Sequence, residues 1–162
     1  MRTAVLVAVA GLCVSACDAT MQSQIGEPID MGPYTFSIVS ATQGQQWESM
    51  EGTYREVIVH VRVLRDDTPP YTESFSSSFI DSMRIVDAAG NSIGATPTPM
   101  SPNYRGGRYR SDYYTCRFRF SRSSEGVRDF ERIGTRPQDF RLLITNPARE
   151  GSQPRQVAIK LG

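Results

Sequence analysis

The stretch that decides the fold is residues 54–64, which read YREVIVHVRVL. From residue 57 to residue 63 every second position is a valine, namely Val57, Val59, Val61 and Val63. Successive side chains of a strand point to opposite faces, so the valines share one face and His60 lies on the other. β-branched residues in this spacing fit a pleated surface that is buried on one side. The sequence therefore predicts a long, half-buried strand here.

Further along the chain, residues 113–122 (YYTCRFRFSR) alternate in the same way. This pattern predicts a strand whose inward side chains are Tyr114, Cys116, Phe118 and Phe120. Shorter runs predict further strands at 34–40, 82–86, 140–144 and 157–161, and a short partner strand beginning at Ile93. A tight turn is predicted at 87–91, where Gly90 or Asn91 suits a positive φ. We expect about seven strands, with polar loops at 41–53 and 94–112.

The fold class that follows is all-β. No long helical segment alternates with the strands, which excludes a parallel α/β sheet. We expect an immunoglobulin-like antiparallel β-sandwich, with a small closed barrel as the alternative. The chain has 162 residues, of which 39% are hydrophobic and 22% charged, and this suits one globular domain. The composition excludes collagen, coiled-coil and multi-span membrane proteins.

The N-terminal residues predict export. Residues 1–16, MRTAVLVAVAGLCVSA, combine a positive Arg2 with an uncharged apolar run that is too short to span a bilayer, as in a signal peptide. The sequence VSAC at 14–17 is similar to the bacterial lipobox, in which small residues precede a Cys that becomes lipidated. We therefore expect a lipidated Cys17 with a polar tether over 17–28, and a folded domain over 29–162. An ordinary signal peptide is the alternative.

Lipidation would determine where the protein is found. Palmitate-type acyl chains on Cys17 would anchor the chain to the bilayer. The expected location is the bacterial cell envelope, on the inner or outer membrane, facing the periplasm or the cell surface. Asp18 favours inner-membrane retention in some bacteria. Once Cys13 is removed and Cys17 is lipidated, Cys116 has no disulfide partner, and we expect it to be a small buried apolar residue.

The order of these features resembles that of a known family. A lipobox, a first strand at 34–40, a Val-rich strand at 57–64 and the stretch RIVDAAGN at 84–91 look like the DUF4352 family of bacterial secreted domains. The resemblance covers roughly residues 25–161. It implies an immunoglobulin-like sandwich, related to a secreted mycobacterial antigen, with an envelope location and no catalytic residues to carry over. Arg65-Asp66-Asp67 stand where the family usually has Asn after the long strand.

The sequence contains no motif of an enzyme class that we can name. A G-x-S-x-G elbow, a P-loop, a dinucleotide fingerprint and H-E-x-x-H are all absent. His60 is the single imidazole, which argues against a histidine-based metal site, and we expect no cofactor or metal. An envelope hydrolase would have to use His60, and it stays open as an alternative function.

Charge is distributed unevenly along the chain. Residues 17–100 hold 4 Arg against 11 acidic residues, a net charge of −7, whereas residues 101–162 hold 13 basic against 6 acidic residues, a net charge of +7. Such asymmetry can mark a partner surface. Two alternatives are open. The halves could complement each other inside the fold, or they could pair head to tail between copies in a self-assembling protein.

The basic half contains the candidate binding site. Its residues are Tyr104, Arg105, Arg108, Tyr109 and Arg110, and Trp47 is a separate candidate in the loop at 41–53. Arg and Tyr are enriched in binding surfaces, and Arg pairs with carboxylate or phosphate through two N–H groups. A solvated Arg-rich loop is the alternative, since 17 of the 18 basic residues are Arg. Trp47 could cap the sandwich or stack on a sugar.

The sequence therefore predicts a membrane-anchored bacterial envelope lipoprotein with a β-sandwich that acts as a non-catalytic binding or assembly module. Its expected partners are the lipid bilayer through Cys17, and an envelope protein or an anionic cell-wall or lipid group. Nucleic acid is not expected, because the N-terminal residues predict export. The alternatives are the hydrolase and a ligand-binding or cell-wall-glycan-binding domain. The sequence does not indicate an oligomeric state.

Overall fold

The computed structural model describes most of the chain from Thr20 onward. The described residues are 20–49, 52–67, 82–94, 96–99, 102–105, 108–134, 136–146 and 156–162. For 49, 96–99, 102–105 and 108–111 the description covers the backbone alone. The predicted signal peptide and Cys17 lie outside the described residues. Within the described residues, no helix has the length and apolar character needed to cross a membrane.

The described residues are mostly strand, as the alternation predicts. The strands are β1 (Met21–Ser23), β2 (Ile29–Asp30), β3 (Tyr34–Gln43), β4 (Trp47–Ser49), β5 (Gly52–Asp66), β6 (Met83–Asp87), β7 (Ser92–Gly94), β8 (Thr96–Pro99), β9 (Pro102–Arg105), β10 (Arg108–Ser111), β11 (Tyr113–Phe120), β12 (Phe140–Thr145) and β13 (Gln156–Lys160). A five-stranded sheet has the order β1-β13-β12-β6-β7, and a six-stranded sheet has the order β2-β3-β5-β11-β8 with β4 paired to β5. β9 and β10 form a separate two-stranded ribbon.

The two sheets pack face to face around one core, so the predicted all-β sandwich is confirmed. The six-stranded sheet buries Val57, Val59, Val61, Tyr114, Cys116, Phe118 and Phe120. The five-stranded sheet buries Met83, Ile85, Leu142, Ile144, Val157 and Ile159. Each such side chain contributes about 1.5–3 kcal/mol when it is fully buried. The predicted inward faces of the two long strands are therefore confirmed.

Three expectations about strands are wrong. The part of the chain that the structure describes has thirteen strands rather than seven, because several short pairings lack a clear alternation. The predicted loops contain strands, since β3 runs to Gln43 and β8, β9 and β10 occupy most of 94–112. The predicted tether at 17–28 includes β1, which pairs in parallel with β13. The sheet therefore begins within three residues of Asp18.

The prolines in 94–112 are the reason why this stretch was predicted to be a loop rather than strands. Pro97 and Pro99 lie in β8, which pairs with β11 on one side only and forms an edge of the six-stranded sheet. Proline has no N–H, and an edge strand is where this loss is tolerated. The same prolines reduce the capacity of β8 to pair with a strand of another molecule.

The two ends of the sandwich differ in the strands and side chains that meet there. At the far end, Phe120 of β11 stacks on Phe140 of β12 with ring centroids 5.4 Å apart. There Arg55 Nη1 also donates to the carbonyls of Phe130 and Ile133, at 2.9 and 2.8 Å. The strand directions place the start of β1, the end of β5, the start of β11 and the end of β12 at the opposite end. We call this the tether end because Thr20 precedes β1 there.

Asn91 ties the turn after β6 to the connection between β11 and β12. Its side chain is fully buried. Its Oδ1 accepts hydrogen bonds from the backbone N–H groups of Arg128 and Asp129, at 2.6 and 3.0 Å. Its Nδ2 donates to Asp87 Oδ2 at 2.8 Å. Gly90 beside it has a φ of +81°, as the predicted turn requires.

Asn91→Ala is expected to lower the free energy of unfolding by about 2–4 kcal/mol, because it removes the acceptor of two backbone N–H groups and the side-chain donor to Asp87 Oδ2, while Asp87 Oδ1 keeps its hydrogen bond from the backbone N–H of residue 91. Urea denaturation measures this change. Ala88→Ser, at an exposed position of the same turn, is the control and should change stability by less than about 0.5 kcal/mol. A loss below about 1 kcal/mol for Asn91→Ala would contradict the role of this side chain.

Cys116 is buried in the core, as expected, and is a free thiol. Burial penalises the thiolate and raises the pKa of Cys116 from 9.0 to about 12. The folded protein therefore keeps a thiol proton that the unfolded chain loses, and this residue lowers stability as the pH rises above about 9.

We expect Cys116 in the folded protein to resist alkylation by iodoacetamide at pH values up to about 9, because the reactive thiolate is suppressed and inaccessible. Unfolding in urea should expose it to rapid alkylation. Peptide mapping by mass spectrometry measures modification at this residue separately from other cysteines. Comparable alkylation rates with and without urea would show that the thiol is accessible in the folded state.

Candidate functional site: the Arg/Tyr ribbon and the outer face of the six-stranded sheet

The five predicted binding residues of the basic half lie on the β9–β10 hairpin, which we call the Arg/Tyr ribbon. Arg105 pairs with Arg108, Tyr104 with Tyr109, and Arg110 with Asn103. Residues that pair across an antiparallel ladder share a face, and faces alternate along each strand. The register therefore puts the three arginines on one face of the ribbon and the two tyrosines on the other. Their side chains lie outside the described part of the structure.

The ribbon continues the β8–β11 pair in the same register. Tyr114 pairs with Pro99 in the sheet, and Ser111 pairs with Pro102 in the ribbon, so each strand advances three residues between these pairs. At this junction Val63 N–H of β5 donates to the Asp112 carbonyl at 2.9 Å. Six residues separate Tyr114 from Arg108, which is about 20 Å at the usual rise of a strand. The arginines thus lie beyond the tether end of the sheet.

Next to the ribbon, the outer face of the six-stranded sheet is polar and aromatic. The Arg62 guanidinium lies 5.6 Å from the centroid of the exposed Tyr113 ring. This cation–π contact on neighbouring strands adds another Arg and another Tyr at the base of the ribbon.

Further from the ribbon, Glu56 is the buried centre of the outer face. Its side chain is only 3% exposed. Its Oε2 accepts from Arg117 Nη1 and its Oε1 from Arg119 Nε, both at 2.9 Å. Gly44 covers the carboxylate, since a Cβ there would come within 2.7 Å of the Glu56 side chain. Glu56 therefore holds two partly exposed arginines of β11 in a fixed row.

Trp47 lies at the far end of the same face. Its ring stacks on Tyr54 with a centroid distance of 5.3 Å, and the Arg119 guanidinium lies 5.5 Å from its centroid. These contacts are with side chains of β5 and β11, and both the capping role and the sugar-stacking role stay predictions. The structure does not bring Trp47 together with the ribbon, because the two lie at opposite ends of β11.

His60 lies in the middle of the outer face. It pairs with Ser40 and Thr115 on the neighbouring strands, and its Nδ1 is 3.4 Å from Thr115 Oγ1. A hydrolase would also need an acidic group to orient the imidazole. Between the residues that the structure describes, His60 makes no hydrogen bond to a carboxylate. The hydrolase alternative therefore stays a prediction.

The two charge halves complement each other only in part. Glu56 of the acidic half pairs with Arg117 and Arg119 of the basic half. By contrast, Arg65 pairs with Asp30 and Asp67 inside the acidic half. Ion pairs inside the basic half are Arg122–Glu131, Arg132–Asp129 and Arg136–Asp139. Glu56 is thus a centre at which charges of the two halves neutralise each other.

A groove of about 510 Å³ lies on the outer face of the five-stranded sheet. Val86 and Leu143 contribute apolar surface to it. Arg141, Lys160, Asp87 and Asp139 line it with two charges of each sign. A groove with this lining has no net preference for an anion or a cation. In the described residues, no three His, Cys, Asp or Glu side chains lie together as metal ligands would.

Sequence reasoning missed Glu56. The residue lies on the face of β5 that was expected to be exposed, and its partners are 61 and 63 residues away. The arginines at alternate positions of β11 indicated that a carboxylate could lie opposite them. To identify that carboxylate as Glu56, however, the register between β5 and β11 has to be known.

No family model matches the chain, and neither does a curated protein or a solved structure.

Proposed function

We propose that the chain is a bacterial envelope lipoprotein, anchored through a lipidated Cys17, whose sandwich is a non-catalytic binding or assembly module. The signal-like residues 1–16 and the lipobox support the anchor. The binding role is carried by one observation, the register that extends β8–β11 into the Arg/Tyr ribbon. Its arginines would bind carboxylate or phosphate groups of an anionic envelope partner.

We further propose that the sandwich is immunoglobulin-like and related to the DUF4352 domains. The strand order β3-β5-β11-β8 in one sheet and β7-β6-β12-β13 in the other supports the immunoglobulin-like sandwich, while the relation to DUF4352 rests on the sequence resemblance. These orders correspond to the A-B-E-D and C′-C-F-G sheets of an immunoglobulin domain. The parallel pairing of β1 with β13 adds an N-terminal strand to the second sheet.

The ribbon is paired as a separate two-stranded element, outside the two sheets that form the sandwich. A two-stranded hairpin is at best marginally stable by itself in water. The core cluster is formed by the two packed sheets of the sandwich. Substitutions of Arg105, Arg108 and Arg110 should therefore change binding without unfolding the domain.

Cys17→Ser tests the anchor. In a bacterial host, we expect this change to abolish labelling of the full chain by a palmitate-type fatty acid and to abolish cleavage before residue 17. Cys13→Ser, inside the predicted signal peptide, is the matched control and should leave labelling intact. A Cys17→Ser protein that is processed and retained in the membrane like wild type would overturn the anchor.

Asn103→Cys tests the binding role, because Asn103 pairs with Arg110 on the ribbon. We expect a membrane-impermeant maleimide to label this cysteine several-fold more slowly in isolated envelopes than in purified protein in detergent. Adding Arg105→Gln, Arg108→Gln and Arg110→Gln should remove that protection. The control set is Arg122→Gln, Arg128→Gln and Arg132→Gln, which lie off the ribbon and should preserve it. Equal labelling rates in envelopes and detergent would contradict a binding ribbon.

A further inference from the structure

We propose that the Arg/Tyr ribbon docks on the anionic phospholipid headgroups of the leaflet that holds the Cys17 anchor. This inference rests on the proposed function, since it requires the lipid on Cys17. It names the partner of the ribbon as the bilayer surface itself rather than a second protein.

The first argument is the position of the chain start. Thr20 precedes β1 at the tether end, and its Oγ1 lies 3.1 Å from Gln156 Oε1 at the start of β13. Cys17 is three residues earlier, so its Cα lies within about 11 Å of the Thr20 Cα even when the chain is fully extended. A lipid on Cys17 would therefore hold the tether end close to the bilayer.

The second argument is reach. The ribbon leaves the six-stranded sheet at the same end, and its last described pair, Arg105–Arg108, is about 20 Å of strand beyond Tyr114. This length exceeds the span of the three-residue link. A domain anchored by so short a link would hold the base of the ribbon near the membrane surface, within reach of the headgroups.

The third argument is the distribution of exposed apolar side chains. In the described residues, five large hydrophobic side chains are exposed, and three of them lie at the tether end. These three are Met21, Leu64 and Tyr113, with 38%, 46% and 39% of their surface exposed. Apolar and aromatic residues are stabilised at the boundary between headgroups and acyl chains. Such residues next to the anchor fit a membrane-facing surface.

The fourth argument is chemistry. Arginine near an anionic leaflet is attracted to phosphate groups, and tyrosine is enriched at the membrane interface. The ribbon carries three arginines on one face and two tyrosines on the other. Two carboxylates at the tether end, Asp30 and Asp67, are already paired with Arg65. These two carboxylates are thus neutralised locally, and the three ribbon arginines supply the positive charge with which an anionic surface would interact.

The test uses the purified full-length lipoprotein in vesicles with a trace of phosphatidylcholine that is spin-labelled in its headgroup. A fluorophore is attached to Asn103→Cys on the ribbon or, as control, to Ala88→Cys, which is exposed in the turn at the far end. With about 30% phosphatidylglycerol, we expect quenching of the ribbon dye about threefold stronger than in pure phosphatidylcholine. Salt at about 0.5 M should remove the difference by screening. The far-end dye should not be quenched in either vesicle.

Arg105→Gln, Arg108→Gln and Arg110→Gln together should reduce the quenching of the ribbon dye to its value in phosphatidylcholine while the protein still floats with the vesicles. Flotation with equal quenching in both lipids would overturn the docking proposal and leave the anchor intact. No flotation with either lipid would overturn the anchor and the docking together. Maleimide protection in envelopes without quenching in anionic vesicles would identify a protein or cell-wall partner instead of lipid.

Discussion

Replacing Arg117 and Arg119 together by methionine is expected to lower the free energy of unfolding by about 3–5 kcal/mol. The reason is the buried carboxylate of Glu56, which is 3% exposed and receives one hydrogen bond from each arginine. Without them it would be an unpaired charge beneath Gly44, held away from water. Methionine retains much of the apolar stem that covers the sheet, so the change isolates the loss of charge.

A second substitution separates the buried charge from loss of packing. Adding Glu56→Gln to the double variant removes the unpaired charge, and we expect it to recover about 1–3 kcal/mol of the lost stability. The matched control is Arg122→Met with Arg132→Met, since both arginines pair with carboxylates at exposed positions. Exposed ion pairs contribute about 0–1 kcal/mol each, so this control should lose little. Urea denaturation measures all three variants.

The result also bears on the outer face. If the double arginine variant and the exposed control lose the same stability, Glu56 is solvated in solution and the row of arginines is not fixed by it. If the triple variant recovers no stability, the loss comes from packing of the arginine stems. Either outcome would contradict the conclusion that Glu56 holds Arg117 and Arg119 in place on this surface.

The core of the fold was predictable because it follows from alternation alone. Val57, Val59 and Val61 are inward in the structure, as are Tyr114 and Phe118. An alternating stretch determines its buried face whichever strand it pairs with, since the period of two is a local property. This is why the sandwich and its inward residues could be read from the sequence without knowledge of the topology.

Pairing was less predictable, because it depends on residues far apart in sequence. β1 is three mostly polar residues, MQS, and only its pairing with Val157–Ile159 makes it a strand. The Arg/Tyr ribbon was expected to be a loop because of its glycines and flanking prolines. It is a strand pair because the β8–β11 register extends through it. Local composition contained no signal for either pairing.

The binding roles of the ribbon residues and of Trp47 stay predictions, and the geometry of these residues could not be predicted. The sequence identified the Tyr and Arg residues of the ribbon and identified Trp47. It could not show that β11 separates them, or that Trp47 contacts Tyr54 and Arg119. It also could not show that the ribbon and Thr20 share one end of the sandwich. That relation needs the directions of β1, β11 and β13, which are properties of the assembled sheets.

Phe120→Ala is expected to lower the free energy of unfolding by about 3–5 kcal/mol, as typical for a large aromatic in a core. Phe120 has no exposed surface, and its ring stacks on Phe140 of the opposite sheet at 5.4 Å. The change would lose the burial of the ring, the stacking contact and the packing around the space it leaves. Phe120→Leu, which fills part of that space, should lose less, and Leu64→Ala at an exposed position should change stability by under about 0.5 kcal/mol.

The same variant tests whether the two ends of the molecule act independently. Phe120 closes the far end, whereas the Arg/Tyr ribbon leaves the sheet at the tether end. Phe120→Ala that still folds at low temperature should therefore keep the quenching of the ribbon dye in anionic vesicles. The ribbon arginine variants should show the reverse, with lost quenching and unchanged stability in urea. Loss of docking in folded Phe120→Ala would mean that the sandwich transmits the change along β11, and the ribbon could not then be treated as a separate binding element.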